Sequence, residues 1–158
     1  MHERVRRVSA VLRENGGSAE IVELPAPAPT AAAAAAQLGC PVGAIANSLV
    51  FLADGAPVLV LAGGDHRVDT RLIAPVLGVA RSRIKRADPD AVLAATGQEV
   101  GGVAPVGHPR RLRTLVDVAL DAYHHVWAGA GMPHTVFRTT FTELLKLTGG
   151  EAVVVSEG

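Results

Sequence analysis

The chain has 158 residues, 49% hydrophobic and 19% charged, which suits one packed domain over residues 1–158 and excludes a disordered chain. Lys+Arg 15 and Asp+Glu 15 cancel to a formal charge of +0, so no bulk field holds the protein on nucleic acid or a membrane and any polyanion must meet a local patch. A single cysteine, Cys40, excludes an internal disulfide framework and a multi-thiolate zinc site, and 3% aromatics exclude a stacking platform for several nucleobases.

Val5, Val8 and Leu12 recur at helical spacing among Arg4, Arg6, Arg7 and Arg13, and Gly16-Gly17 supplies a stop, which predicts an amphipathic opening helix. Met1 to Arg13 has no apolar stretch of the signal-peptide kind, and no apolar run reaches the roughly 18 residues of a membrane span; a cytoplasmic protein is expected. Ala19 to Leu24 reads as a short strand, ended by Pro25, Pro27 and Pro29. Thr30 stands as an N-cap before the alanine run 31–36, with Gly39 as the closing glycine. Asn47 to Ala53 and Pro57 to Ala62 are apolar strands joined through Asp54-Gly55, a hairpin signal. Thr70 to Leu77 reads as a helix despite Pro75. Asp88-Pro89-Asp90 opens another, which closes at Gly97 and whose expected apolar face is Val92, Leu93 and Ala95.

Val100 to Pro109 is too rich in glycine and proline for regular structure and reads as a shaped loop. After it the reading forks, with a strand over Leu115 to Leu120 or a helix over Asp117 to His124. Val126 to Ala128 and Thr135 to Arg138 are strand-like. Thr140 to Leu147 is a helix capped by Thr140 or Thr142 and closed by Gly149-Gly150, and Glu151 to Val155 is a last strand. Strands and helices mix without βαβ alternation, which predicts an α+β fold with a mixed sheet.

Elimination narrows the chemistry. None of the five serines sits in G-x-S-x-G, and neither the phosphate-binding G-x-x-x-x-G-K-[ST] nor a dinucleotide G-x-G-x-x-G is present. Cys40 reads as a small apolar residue. The six histidines lack ligand spacing, so no metal site is expected; His134, behind Gly129-Ala130-Gly131-Met132-Pro133, could face a cleft or lie on the surface. Three glycine-rich stretches, at Gly63-Gly64-Asp65, Gly101-Gly102 and Gly129-Ala130-Gly131, suggest a pocket lined by backbone amides.

The order of these motifs resembles the YbaK/prolyl-tRNA-synthetase-associated editing-domain family. The matching run is Thr30 and the alanine helix, Ile45 to Phe51, Pro57 to Asp65, Arg67-Val68-Asp69, Ala87-Asp88-Pro89, Thr96-Gly97, the G-x-x-x-P loop Gly101 to Pro105, and Ala128 to Gly131. The resemblance implies a mixed sheet or partial barrel flanked by helices. It also implies a free-standing hydrolase of the ester that joins a wrong amino acid to tRNA of the proline or cysteine class, using water, a ribose hydroxyl of the tRNA and no cofactor. The implied catalytic residues are Gly101, Gly102, Val103, Ala104 and Pro105, whose N–H groups would hold the developing oxyanion, together with Asn47. The implied substrate contacts are Thr30, Ser48, Asp65, Gly129, Gly131 and His134, and Arg110, Arg111 and Arg113 would meet tRNA. Expected partners are aminoacyl-tRNA and an aminoacyl-tRNA synthetase, with neither DNA nor membrane. The family usually carries lysine where this chain has Asn47, which bears on the amino acid removed. A non-catalytic small-ligand or tRNA-binding module of the same fold is the alternative.

Overall fold

The computed structural model describes residues 2–16 and 20–157. Gly17, Ser18 and Ala19 lie outside the described residues, and with them half of the expected Gly16-Gly17 stop and the start of the first expected strand; Met1 and Gly158 do so as well. Strand β3 (Ala56–Gly63) carries the core on both faces, because Val58 to Ala62 are all buried. Leu59 and Leu61 pack with Val8 and Leu12 of helix α1 (Glu3–Glu14), whereas Val58, Val60 and Ala62 pack with Ile73, Ala74 and Leu77 of helix α3 (Thr70–Leu77). A strand sandwiched in this way needs a continuous apolar run, which is how the sequence reads.

Local chemistry sets the element ends. Thr30 Oγ1 accepts from Ala33 N at 3.1 Å to start α2 (Ala31–Leu38), Asp88 does the same for α4 (Pro89–Thr96) at 2.8 Å, and Thr140 for α5 (Phe141–Thr148) at 3.1 Å. Asp54 at φ 51 and Gly55 at φ 84 put both central hairpin residues in the left-handed region, so β2 (Ile45–Ala53) folds back on β3 with Ala53 opposite Ala56.

The remaining strands are β1 (Ile21–Glu23), β4 (Ile84–Arg86), β5 (Arg113–Asp117), β6 (Val126–Gly129), β7 (Thr135–Thr139) and β8 (Glu151–Val153). They form an eight-stranded sheet in the order β1-β7-β6-β2-β3-β5-β8, with β4 also on β2. Pairs β2–β6, β3–β5 and β5–β8 are parallel and the others antiparallel. The mixed α+β sheet expected from the sequence is therefore present.

Four readings are corrected. Leu93 is 41% exposed and the buried side of α4 is Val92 and Thr96, since neighbouring positions on a short helix cannot all face the core. Both forks after the loop are partly realised: β5 ends at Asp117, whose side chain caps a 3-10 turn over Val118–Ala122. The last strand stops at Val153. Strand β4, of three residues, has no periodicity to read and was missed.

One consequence of the topology makes the site. The edge of β2 away from β3 pairs with β6 at Ile45 and Ala46 and with β4 at Phe51 to Ala53. Between them Asn47, Ser48 and Leu49 have no strand partner on that side, and this split edge leaves them half-buried rather than buried as their apolar neighbours suggest.

Candidate active site

A cavity of about 630 Å³ opens at the split edge, within the usual size range of small-molecule sites of ~300–1,000 Å³. Its walls are β2 from Ile45 to Val50, the start of α2 with Thr30, the Gly101–Val103 loop, and Trp127 to Gly129 of β6. Arg86 is the one charged side chain in the lining. The guanidinium lies 5.5 Å from the centre of the Phe51 ring, a cation–π distance that leaves its donors free for an anion. The lining polar side chains are Thr30, Asn47, Ser48 and Thr135, and no His, Cys, Asp or Glu of the described residues joins them.

The loop separates into two kinds of amide. Gly102 N donates to Glu99 O at 2.9 Å and Ala104 N to Gln98 Oε1 at 2.6 Å, while Pro105 has no N–H. The N–H groups of Gly101 and Val103 have no acceptor among the described residues. Gly101 and Val103 are also the two members of the G-x-x-x-P run that line the cavity. Val103 is buried, where an amide is nearly always paired in a native protein, whereas Gly101 is exposed at the cavity mouth. Gly129 allows β6 to come this close, because a Cβ there would stand 2.8 Å from Val103 O. Ser48 Oγ is buried without a hydrogen-bond partner on the same cavity wall.

The structure gathers Thr30, Asn47, Ser48, Gly101, Val103 and Gly129 around one space. Gly102 packs on Met132 and Pro133, Gly131 (φ 112) lies against the Arg4 carbonyl of α1, and His134 accepts from Leu24 N through its carbonyl; none of the three lines the cavity. Asp65 sits beside Gly43 and Gly63 near the buried Asp117, again outside the lining. The three loop-following arginines separate. Arg113 donates to Glu151 Oε1 and to the Val76 carbonyl on the far edge, Arg111 lies against Gly149 at the end of α5, and Arg110 is exposed. No sequence pattern marks Arg86 as a lining residue, because its place there depends on β4. Gln98 was missed altogether; a lone amide between Gly97 and the shaped loop was its only signal.

Burial raises the Cys40 thiol above its ordinary value, with its backbone hydrogen bond opposing, which fits a packed residue of the α2 end. Burial also lowers His108 below 6.5, partly offset by its bond to Ala104 O at 2.8 Å. Below about pH 6.5 the unfolded chain therefore takes up this proton before the folded one does. The stabilisation is complete above that pH and is lost as pH falls towards the folded value. The unfolding free energy from denaturant titrations at pH 8 to 5 should fall with a slope below about 1.4 kcal/mol per pH unit from this group, and His108→Asn should remove that part of the slope. An unchanged slope in the variant would contradict it.

A family model described as an aminoacyl-tRNA editing domain matches residues 25–147. The chain belongs to that family. This editing domain is an enzyme of the aminoacyl-tRNA deacylase class. It is 30% identical over 133 residues to an uncharacterized protein, YwhH, of Bacillus subtilis strain 168, covering 84% of this chain and 80% of that one. It is 32% identical over 101 residues to a proline–tRNA ligase of Geobacter sp. strain M21, covering 64% of this chain but 17% of the ligase. A crystal structure described as that of a candidate trans-editing enzyme for prolyl tRNA synthetase superposes with a TM-score of 0.91 at 38% identity, over 100% of this chain and 99% of that one. No helix among the described residues is long and apolar enough to cross a membrane.

Proposed function

We propose that this editing domain works in trans, removing a small amino acid from mischarged tRNA of the proline or cysteine class in the cytoplasm, with the ester cut by water at the Gly101–Val103 seat. The single observation carrying this reading is that Gly101 and Val103, whose amides have no acceptor among the described residues, line a cavity that no described His, Cys, Asp or Glu joins. Water attacks the acyl carbon and the carbonyl electron pair moves onto oxygen, where the two N–H groups receive it. The acyl C–O bond to the ribose then breaks, and the water proton passes to the departing ribose oxygen through the neighbouring ribose hydroxyl. Each donor of such a seat is worth roughly 3–4 kcal/mol when charge develops on it.

Electrostatics orient the substrate. Arg86 attracts the phosphate next to the terminal nucleoside and repels the substrate ammonium. The ammonium therefore turns to the carboxamide oxygen of Asn47, an acceptor that the family's usual lysine does not offer. An aminoacyl-tRNA synthetase delivering the mischarged tRNA is the partner this reading calls for.

The test is ester loss from tRNA-Pro and tRNA-Cys charged with alanine, serine, threonine or cysteine. Turnover well above the spontaneous rate on at least one of them is expected; none on any would leave a binding module as the reading. With the best substrate, Arg86→Ala should raise KM roughly tenfold and leave kcat within about twofold, the signature of a lost charged hydrogen bond made equally in ground and transition states. A fall in kcat with KM unchanged would remove Arg86 from the phosphate.

A further inference from the structure

Gln98 is 1% exposed, although its carboxamide carries two strong polar ends. Its Oε1 accepts from Ala104 N at 2.6 Å and its Nε2 donates to Val106 O at 3.2 Å. Its own amide donates to Thr96 Oγ1 at 3.0 Å, and that hydroxyl donates to Val92 O at 2.7 Å, so the side chain is rooted on the last turn of α4. From the other side His108 Nε2 lies 2.8 Å from Ala104 O, and because a carbonyl only accepts, this ring nitrogen carries the proton. The two peptide groups that meet at Ala104 are thus both held, the 103–104 peptide at its N–H by Gln98 and the 104–105 peptide at its C=O by His108. Gly107 (φ 86) turns the chain between Val106 and His108 and lies close enough that a Cβ would come within 3.4 Å of Gln98 Nε2.

We propose that Gln98 and His108 are positioning residues that clamp the two peptide groups on either side of Ala104 and thereby aim the neighbouring Val103 N–H, and through it the Gly101 N–H, into the cavity. Neither touches the substrate. The argument is one of geometry. With the 103–104 peptide held through Ala104 N–H by Gln98 and the 101–102 peptide held through Gly102 N–H by Glu99 O, the 102–103 peptide between them, which carries the Val103 N–H, has little freedom to rotate. An oxyanion seat is effective only when its donors are already in place before charge develops. An apolar side chain of similar volume would fill the same buried position without burying a carboxamide. What it could not do is hold two loop peptides 98-to-104 and 98-to-106 in one register.

This inference rests on the deacylase reading for its kinetic consequence but not for its structural one, so two readouts are needed. In steady-state deacylation of the best mischarged tRNA, Gln98→Met should lower kcat roughly 10- to 100-fold, the cost of a misplaced catalytic group, with KM within about twofold. Gln98→Glu supplies a diagnostic pH profile. Its carboxylate still accepts from Ala104 N but cannot donate to Val106 O, whereas the protonated acid does both. Activity relative to wild type should therefore rise as pH is lowered, a behaviour a merely structural residue would not show. His108→Phe, at a half-buried position, covers the case in which Gln98→Met does not fold and should lower kcat with KM retained. Independently, backbone 15N order parameters at Gly101 to Ala104 should fall in each folded variant. Variants with kcat within about twofold of wild type, an unaltered pH profile and unchanged order parameters would overturn the clamp. A wild type without turnover would overturn the deacylase reading alone, and the order parameters would then decide the clamp.

Discussion

Gly101→Val is expected to lower deacylation by roughly 10²- to 10³-fold while the protein keeps its fold. The magnitude is that of one lost oxyanion donor, about 2.7–4 kcal/mol of transition-state stabilisation. The route is conformational rather than steric. Gly101 has φ 91, a region that a β-branched residue enters only with strain, whereas a Cβ there would find Pro29 at 3.7 Å, an ordinary contact. The loop would relieve the strain by turning the 101 peptide, and its N–H would leave the seat. Because Gly101 is exposed and its amide bonds nothing else in the protein, the melting temperature should move little. The comparison to make is single-turnover ester hydrolysis of wild type, Gly101→Ala and Gly101→Val, with the loss increasing in that order. If Gly101→Val hydrolyses the ester at the parental rate, the seat lies elsewhere.

The largest stability loss should come from a residue with no part in the chemistry. Asp117 is 1% exposed and its carboxylate accepts from Gly63 N at 2.9 Å, from Ala119 N at 3.0 Å and from His66 Nδ1 at 2.8 Å. It joins the end of β3, the end of β5 and the 3-10 turn after it. Asp117→Ala strands three buried or half-buried donors at once, which should cost roughly 3–5 kcal/mol. For a chain of this size that corresponds to a fall of roughly 6–20 °C in Tm. Asp117→Asn keeps the shape and one acceptor oxygen and should cost distinctly less. Thermal unfolding of the two variants side by side is the measurement; equal, small losses would mean that the network carries little of the stability.

These two outcomes separate what the site does from what holds it. The cavity walls come from many separate places in the chain, and apart from Arg86 the lining side chains are neutral. Mutations that read as severe in activity therefore act through one peptide orientation, and those severe in stability act through a carboxylate on another part of the sheet. Arg86 and the Gln98–His108 clamp lie between these extremes, the first affecting binding and the second affecting geometry.

Much of this molecule is legible from its residues alone. Thr30, Asp88 and Thr140 each cap the helix they precede, Asp54-Gly55 turns the hairpin, and the unbroken run Val58 to Ala62 is the doubly buried strand. Each of these is decided by partners within a few residues or by one apolar pattern, so the information is local. The resemblance likewise points to Gly101 to Pro105 as the expected functional loop, the loop on which the proposed function rests. Only the tertiary structure decides which of those amides are free, because their competitors come from outside the motif, Glu99 for Gly102 and Gln98 for Ala104. Only it places Arg86 in the cavity wall, since a three-residue strand on β2 has too few positions to show a period. And only it opens the cavity at all, through an edge of β2 whose two ends are paired by strands distant in sequence while its middle is left without one. Local propensity cannot encode a missing partner; that is a property of how the whole sheet closes.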